Sequence, residues 1–374
     1  MTLPVVRLKG TPYDQGLEHG RELRDRIHHN VKVYLHRIET EGQLPREETF
    51  SRARKYLDAI SRQNAGYHSE MRGISEGSGV DLDGIALLTI RYEILYNQFR
   101  VLAPTQGCTS FALLPESTTE KHLTLAQNWD WIPQVKGAVL HSIDPDGLEV
   151  LCFTEAGIPG GKIGFNSDGV ALLVNGMVST EDDWSTLRKP YHVRCYEILR
   201  SRDIASAVNV VKGRERSCSA NYMIAQAPDK VINVEAAPTK THESTCKGGV
   251  LAHTNHFVDP ENIGVTEPNL EDHHYSFTRY DRINELLHTG RTMTADKVRS
   301  ALCDHVNRPY SICKHPDEGK SPDKHYATVA SVIMDLHAGA MEISDGNPCE
   351  NRYQKVKLKG YNPNMSGRAQ ADTQ

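Results

Sequence analysis

An α+β domain, with sheets covered by helices, is the fold class that the sequence predicts. Apolar residues recur at helical spacing through the first hundred residues, and after Pro104 short alternating or apolar runs take over, separated by turn residues. From His192 onward helical and strand-like segments alternate.

Thr11-Pro12 reads as a helix cap followed by proline at the first helical position, and Leu23, Ile27, Val31, Tyr34 and Ile38 follow at spacings of three and four. Phe50, Ala53, Leu57, Ile60, Tyr67, Met71 and Ile74 repeat the pattern, and Asp81 is placed to cap a further helix carrying Ile85, Leu88 and Ile94. The first hundred residues are therefore expected to be all helical. Asp144-Pro-Asp-Gly147 sits between the runs 137–143 and 148–153, and Asn166-Ser-Asp-Gly169 between 162–165 and 170–174; both are hairpin turns by composition. Helices are expected at 192–199, 204–211, 276–287 and 294–306, and strands at 220–225, 231–236 and 328–335. From about Asp345 the chain turns polar, and residues 361–374 are expected to fray.

The 374 residues allow two or three domains or one large one, and exclude a small disulfide scaffold. A formal charge of −5, without blocks of like charge, argues against nucleic acid or an anionic membrane as a partner. No apolar run approaches the ~18 residues that cross a bilayer. The residues Met1 to Arg7 show no basic, apolar leader pattern, so eight cysteines without a Cys-x-x-Cys pair read as reduced cytosolic thiols. Cytoplasm is the expected location, and the oligomeric state is left open.

Several motifs have plain explanations. Gly73-Ile-Ser-Glu-Gly77 matches a nucleophile elbow, but that turn must follow a strand, and here the approach is helical. Ser321-Pro-Asp-Lys324 sits in a proline-bearing loop rather than opening a helix, Gly157-Ile-Pro-Gly-Gly-Lys162 lacks the spacing of a phosphate loop, and Asn364-Met365-Ser366 is a chance sequon. Eighteen histidines invite a metal, yet there is no His-Glu-x-x-His. The nearest cluster is His253-Thr-Asn-His256, the pairs His28-His29 and His273-His274 point to different faces, and no carboxylate or cysteine stands at ligand spacing. Linear spacing thus implies no metal and no organic cofactor.

Gln106-Gly107-Cys108-Thr109-Ser110 lies where the helical block gives way to strands. Glycine leaves its carbonyl open to close approach and tolerates a strained backbone. Attack of the Cys108 sulfur on the Gly107 carbonyl, an N-to-S acyl shift and hydrolysis would free a chain beginning at Cys108. Its α-amine, with an ordinary pKa of about 7.7–8.0, can serve as base for its own thiol. Taken alone, Cys108 reads by default as a buried structural cysteine, Asp130 as a turn residue and Asn255 as a strand-end cap.

Gly107-Cys-Thr-Ser, Gln127-Asn-Trp-Asp130, Thr154-Glu-Ala-Gly157, Gly164-Phe-Asn-Ser167 and His253-Thr-Asn-His256 resemble, in order, motifs of the isopenicillin-N acyltransferase (acyl-CoA:6-aminopenicillanic acid acyltransferase) family. Gly10-Thr-Pro12, Glu18-His-Gly20, Arg72-Gly-Ile74, Arg91 with Glu93, Ser311-Ile-Cys313 and Glu318-Gly-Lys-Ser321 extend the resemblance across residues 5 to 345. It implies a cysteine N-terminal nucleophile hydrolase with a four-layer αββα sandwich, made as a precursor that cleaves itself between Gly107 and Cys108. The resemblance also implies roles: Cys108 the nucleophile, Asp130 the carboxylate that orients the α-amine, Asn255 the oxyanion donor. Residues 1–107 would form a helical first chain, 108–345 the catalytic segment, and 346–374 a polar extension of the second chain. Ala237 replaces the serine of penicillin-making members, and Pro322 follows Gly-Lys-Ser where they carry arginine.

The expected activity is cleavage or transfer of an acyl or aminoacyl group from a small amide through a Cys108 thioester. Substrates are N-acyl or N-aminoacyl amides, with acyl-CoA a candidate donor, and the cleaved N-terminal chain is the expected protein partner. A β-alanyl-amine type of amidohydrolase is the alternative within the class. A non-catalytic homologue and a His-ligated metallohydrolase are the alternatives outside it.

Overall fold

In this computed structural model of the chain, residues 2–102, 107–213, 215–268 and 274–361 are described. Pro104, Gln106, His273 and the residues beyond Tyr361, with the Asn364 sequon, lie outside them.

Helix α1 (Pro12–Glu22) starts at a capping box, in which the Thr11 hydroxyl accepts from Asp14 N at 3.3 Å and the Asp14 carboxylate accepts from Thr11 N at 3.0 Å. Helix α2 (Arg24–Thr40) buries Ile27, Tyr34 and Ile38, as the periodicity predicts. The second apolar stripe is divided at Asn64 into α3 (Arg46–Gln63) and α4 (Ala65–Ser78), because the Asn64 side chain accepts from Tyr67 N at 2.8 Å and caps a new helix. Helix α5 (Leu82–Leu102) begins directly after Asp81.

Gly73 and Gly77 lie inside α4, which ends at left-handed Gly79 (φ 72°). They serve packing: a Cβ on Gly73 would stand 2.2 Å from the Tyr13 carbonyl oxygen, and one on Gly77 would stand 2.2 Å from that of Leu17. Gly16 and Gly20 of α1 meet α4 in the same way, so the two backbones touch.

The all-helical expectation for the first hundred residues fails at β1 (Val5–Lys9), which pairs in parallel with β4 (Gly137–Ile143). A five-residue run gains its strand identity from a partner far along the chain, which local periodicity does not contain. Both expected hairpins form: β4 joins β5 (Glu149–Glu155), and β6 (Ile163–Asn166) joins β7 (Val170–Gly176), with Gly147 and Gly169 at φ 85° and 80°. With β8 (Ala220–Gln226), β9 (Lys230–Ala236) and β10 (Thr241–Ser244) the first sheet runs β1-β4-β5-β6-β7-β8-β9-β10.

The second sheet contains β2 (Thr109–Leu113), β3 (Thr124–Trp131), β11 (Val250–His253), β12 (Ala327–Asp335), β13 (Ala340–Asp345) and β14 (Gln354–Lys357), in the order β11-β2-β3-β12-β13-β14. β14 falls in the stretch expected to be a polar extension, so residues just past Asp345 close the sheet edge. Local composition missed it because an edge strand needs only one apolar face.

β7 packs on β2 and β3, and β6 on β12, so the sheets lie face to face. Helices α6 (Tyr191–Leu199) and α7 (Ile204–Lys212) cover the first sheet, while α9 (His274–Leu287) and α10 (Ala295–Leu302) cover the second. A short α8 (Pro260–Ile263) follows β11. This is the α+β, αββα order of layers, with α1–α5 packed at one side. β2, β7 and β8 are buried along their whole length, on both faces, and so carry mostly apolar or small residues instead of a strict alternation. No helix of the described residues is long and apolar enough to cross a membrane.

Candidate active site

β2 and β3 are antiparallel neighbours with Thr109 opposite Asn128, and β3 pairs on its other side with β12, where Thr328 faces Asp130. Strand register therefore sets Cys108, at the entrance of β2, beside the end of β3. The Cys108 sulfur lies 3.9 Å from the Asp130 carbonyl oxygen. His253 ends β11, and its imidazole meets Glu235 at 2.8 Å, while Glu235 also accepts from Val258 N. That pair fixes the turn that carries Asn255.

Asn255 is held from three sides: its N–H donates to Ser276 Oγ at 2.8 Å, its Nδ2 donates to the Gly176 carbonyl at 2.8 Å, and its Oδ1 accepts from Arg279 at 3.2 Å. The same guanidinium donates through Nη1 to the Cys108 carbonyl at 2.6 Å and to Thr109 Oγ1 at 3.1 Å. Arg279 thus ties together the cysteine and asparagine singled out in the sequence. It was missed there, although an arginine in helical register with Ile283 and Leu287 of α9, and so on the face that becomes buried, is a legible signal.

Gly107 fits within this clamp. A Cβ at that position would stand 1.7 Å from Arg279 Nη2 and 2.8 Å from Asn255 Oδ1. Without a side chain, Gly107 lets the backbone pass into β2 while Arg279 and Asn255 keep these positions.

Asp130 is buried in β3. Its Oδ1 accepts from the Thr328 hydroxyl at 2.7 Å, and its Oδ2 has no hydrogen-bond partner among the described residues. Burial raises its carboxyl above the usual range, against the pull of the Lys314 and Arg279 cations; the same burial lowers Lys314. Burial first, and the Asp130 charge second, push the Cys108 thiol up to about 11. In the unbroken chain this sulfur is a protonated thiol at neutral pH and needs a base to act.

Behind the cysteine, Glu155 gathers the cations of Arg91 and Lys162 and the hydroxyl of Tyr34, with Arg91 Nε at 2.8 Å. Burial would raise Glu155, but the two cations outweigh it and hold it below the usual range, while burial brings the Lys162 ammonium down to about 7. The Lys162 Nζ lies 3.4 Å from the Trp129 ring centroid, beside Asp130 in sequence. Lys162, which ends the Gly-rich run 157–162 without phosphate-loop spacing, is therefore part of this wall.

Residues 117–350 match the model of the acyl-coenzyme A:6-aminopenicillanic acid acyl-transferase family. The chain belongs to that family. It is accordingly an enzyme of the acyltransferase type. It is 26% identical over 345 residues to the 40 kDa form of acyl-coenzyme A:6-aminopenicillanic-acid-acyltransferase of Emericella nidulans, covering 89% of this chain and 90% of that protein. An uncharacterized protein of Archaeoglobus fulgidus is 22% identical over 356 residues, covering 82% of this chain and 58% of that protein. Among solved structures, penicillin V acylase from Agrobacterium tumefaciens aligns over 68% of this chain and 87% of its own, at 12% identity and TM-score 0.45. A Caenorhabditis elegans ortholog of N-acylethanolamine-hydrolyzing acid amidase aligns over 61% and 93%, at 13% identity and TM-score 0.44.

Proposed function

We propose that Cys108 is the nucleophile of a self-processing enzyme that cleaves or transfers an acyl or aminoacyl group from a small amide through a thioester. The supporting observation is the buried Asp130 Oδ2, without a hydrogen-bond partner among the described residues, near a cysteine preceded by a glycine that is closely flanked by Arg279 and Asn255. A buried carboxylate oxygen without a donor calls for one. Cleavage between Gly107 and Cys108 would create an α-ammonium group there. Its charge would draw Asp130 into the ionised form, and after losing a proton the amine would serve as the base that the thiol lacks.

The sequence of events follows. The Cys108 sulfur attacks the Gly107 carbonyl, the C–N bond breaks as the departing α-nitrogen takes the thiol proton, and water hydrolyses the resulting thioester to a Gly107 carboxylate and the free Cys108 thiol. Residues 1–107 and the chain from Cys108 onward stay together as two chains, the first being the partner of the second. In turnover the thiol proton passes to the α-amine, the sulfur adds to the substrate carbonyl, and Asn255 Nδ2 donates to the oxyanion. The amine product leaves with that proton, and water or an acceptor amine then takes the acyl group from sulfur.

Small N-acyl or N-aminoacyl amides are the substrates we assign, with acyl-CoA as a donor to be tested and a β-alanyl-amine hydrolase as the narrower version. Eight unpaired cysteines suit a reducing compartment, and cytoplasm is the location assigned.

Denaturing gels and intact masses of purified protein test the proposal. Wild type should give two chains, the second beginning at Cys108, and Cys108→Ala should stay whole. An active wild-type enzyme recovered as one uncut chain would defeat it. Asn255→Ala should lower kcat by about 10²–10³ with little change in KM.

A further inference from the structure

We propose that His305, Cys313, His315 and Cys349 form a tetrahedral zinc site that fixes the loop behind the candidate nucleophile. The four donor atoms lie within 4.8 Å of one another. Linear spacing pointed to no metal, because Cys349 is far along the chain from the other three and reaches them only after β12 and β13 are paired.

The distances have the dimensions of a zinc tetrahedron. Zn–S bonds of about 2.3 Å and Zn–N bonds of about 2.0–2.1 Å give edges of about 3.8 Å between two sulfurs, about 3.6 Å between sulfur and nitrogen, and about 3.3 Å between two nitrogens. Here the Cys313 and Cys349 sulfurs are 3.5 Å apart, and His315 Nε2 lies 3.7 Å from Cys313 Sγ and 3.3 Å from Cys349 Sγ. The His305 and His315 Nε2 atoms are 3.1 Å apart. Two imidazole nitrogens and two sulfurs turned to one point satisfy each other poorly as hydrogen-bond partners, whereas a soft divalent cation satisfies all four.

Outer groups are placed as such a site needs. His315 Nδ1, the nitrogen turned away, faces Glu350 Oε1 at 3.6 Å, and Asn347 Nδ2 donates to Cys313 Sγ at 3.4 Å. Asn347 Nδ2 also donates to the Lys314 carbonyl at 2.7 Å. Lys314 stands between two ligands, its N–H donates to Thr328 Oγ1 at 3.0 Å, and the Thr328 hydroxyl donates to Asp130. The cation would therefore hold the 313–315 strap against β12, two hydrogen bonds from Asp130 through Thr328, without touching substrate.

Full-length protein bearing no histidine tag, made in zinc-supplemented cells, should carry about one zinc per chain by mass spectrometry of the metal. His305→Ala, an exposed position, and Cys313→Ser should each carry less than about a tenth, while Cys246→Ser keeps its zinc. Cobalt added to metal-stripped wild type should produce the visible bands of tetrahedral thiolate coordination, and His305→Ala should not. Folded wild type without zinc and without the cobalt spectrum overturns the site. So does an intact mass showing a Cys313–Cys349 disulfide in the protein as purified. None of these readouts depends on cleavage or turnover.

Discussion

Arg279 donates to the Cys108 carbonyl at 2.6 Å through one nitrogen and to Asn255 Oδ1 at 3.2 Å through another, so one guanidinium spans β2 and the loop after β11. Its planar fork meets both acceptors at once, which a lysine ammonium on a flexible stem does not. Arg279→Lys should therefore keep the buried charge and lose the alignment of Asn255. We expect kcat to fall roughly 10- to 100-fold with KM little changed, and slower appearance of the cut chains. Wild-type turnover by a lysine variant of unchanged melting temperature would remove Arg279 from the positioning role.

Gly107→Ala places a methyl group where Arg279 and Asn255 already stand. The clamp must open or the backbone must shift, and either change moves the Gly107 carbonyl relative to the Cys108 sulfur. The variant should accumulate as an uncut chain by intact mass. Cleavage at the wild-type rate would show that the clamp is not needed for the acyl shift.

The α1–α4 contact makes a separate prediction about stability. Gly73→Ala and Gly77→Ala each drive a Cβ to 2.2 Å from a backbone oxygen, and a carbonyl cannot swing aside as a side-chain tip can. Overpacking of this kind costs typically 1–3 kcal/mol, so thermal melts should fall by several degrees. Gly147→Ala meets no atom within 4 Å and is strained only by φ 85°. Its smaller loss, about 1 kcal/mol, provides the comparison. Equal melting temperatures for Gly73→Ala and wild type would contradict the packing.

Asp182 gives a pH dependence with a definite sign. Burial raises its carboxyl to about 7, against the hydrogen bonds from Ser219 and Ser179. Because the folded value is raised above that of an ordinary aspartate, the folded state binds the proton more tightly. Its stabilisation is complete below the unfolded pKa and is lost as pH rises toward 7. Asp182→Asn lacks this slope. Its melting temperature relative to wild type should therefore climb between pH 5 and pH 8, and parallel curves would refute the shift.

Many elements were legible in the residues because their causes are local. The Thr11 cap, the hairpin glycines and the stripes of α2, α6, α7 and α9 depend on neighbours within a few positions, so periodicity and turn chemistry found them. Helix α10 ends at Leu302, short of the expected Val306, because polar residues follow its last buried turn. β1, β3, β10, β11, β13 and β14 were not assigned, because a strand is defined by the partner it pairs with as much as by its own residues.

The sequence by itself determined the α+β class, the order of motifs that marks the family, and the candidates Gly107, Cys108, Asp130 and Asn255. Only the tertiary structure decided that Arg279 ties Cys108 to Asn255, that Thr328 and Lys314 surround Asp130, and that His305, Cys313, His315 and Cys349 converge. Capping, periodicity and turn formation act between near neighbours and leave their mark in linear order. Burial, charge pairing and ligand geometry arise between strands and helices far apart in the chain, and they exist only once the two sheets have closed on each other.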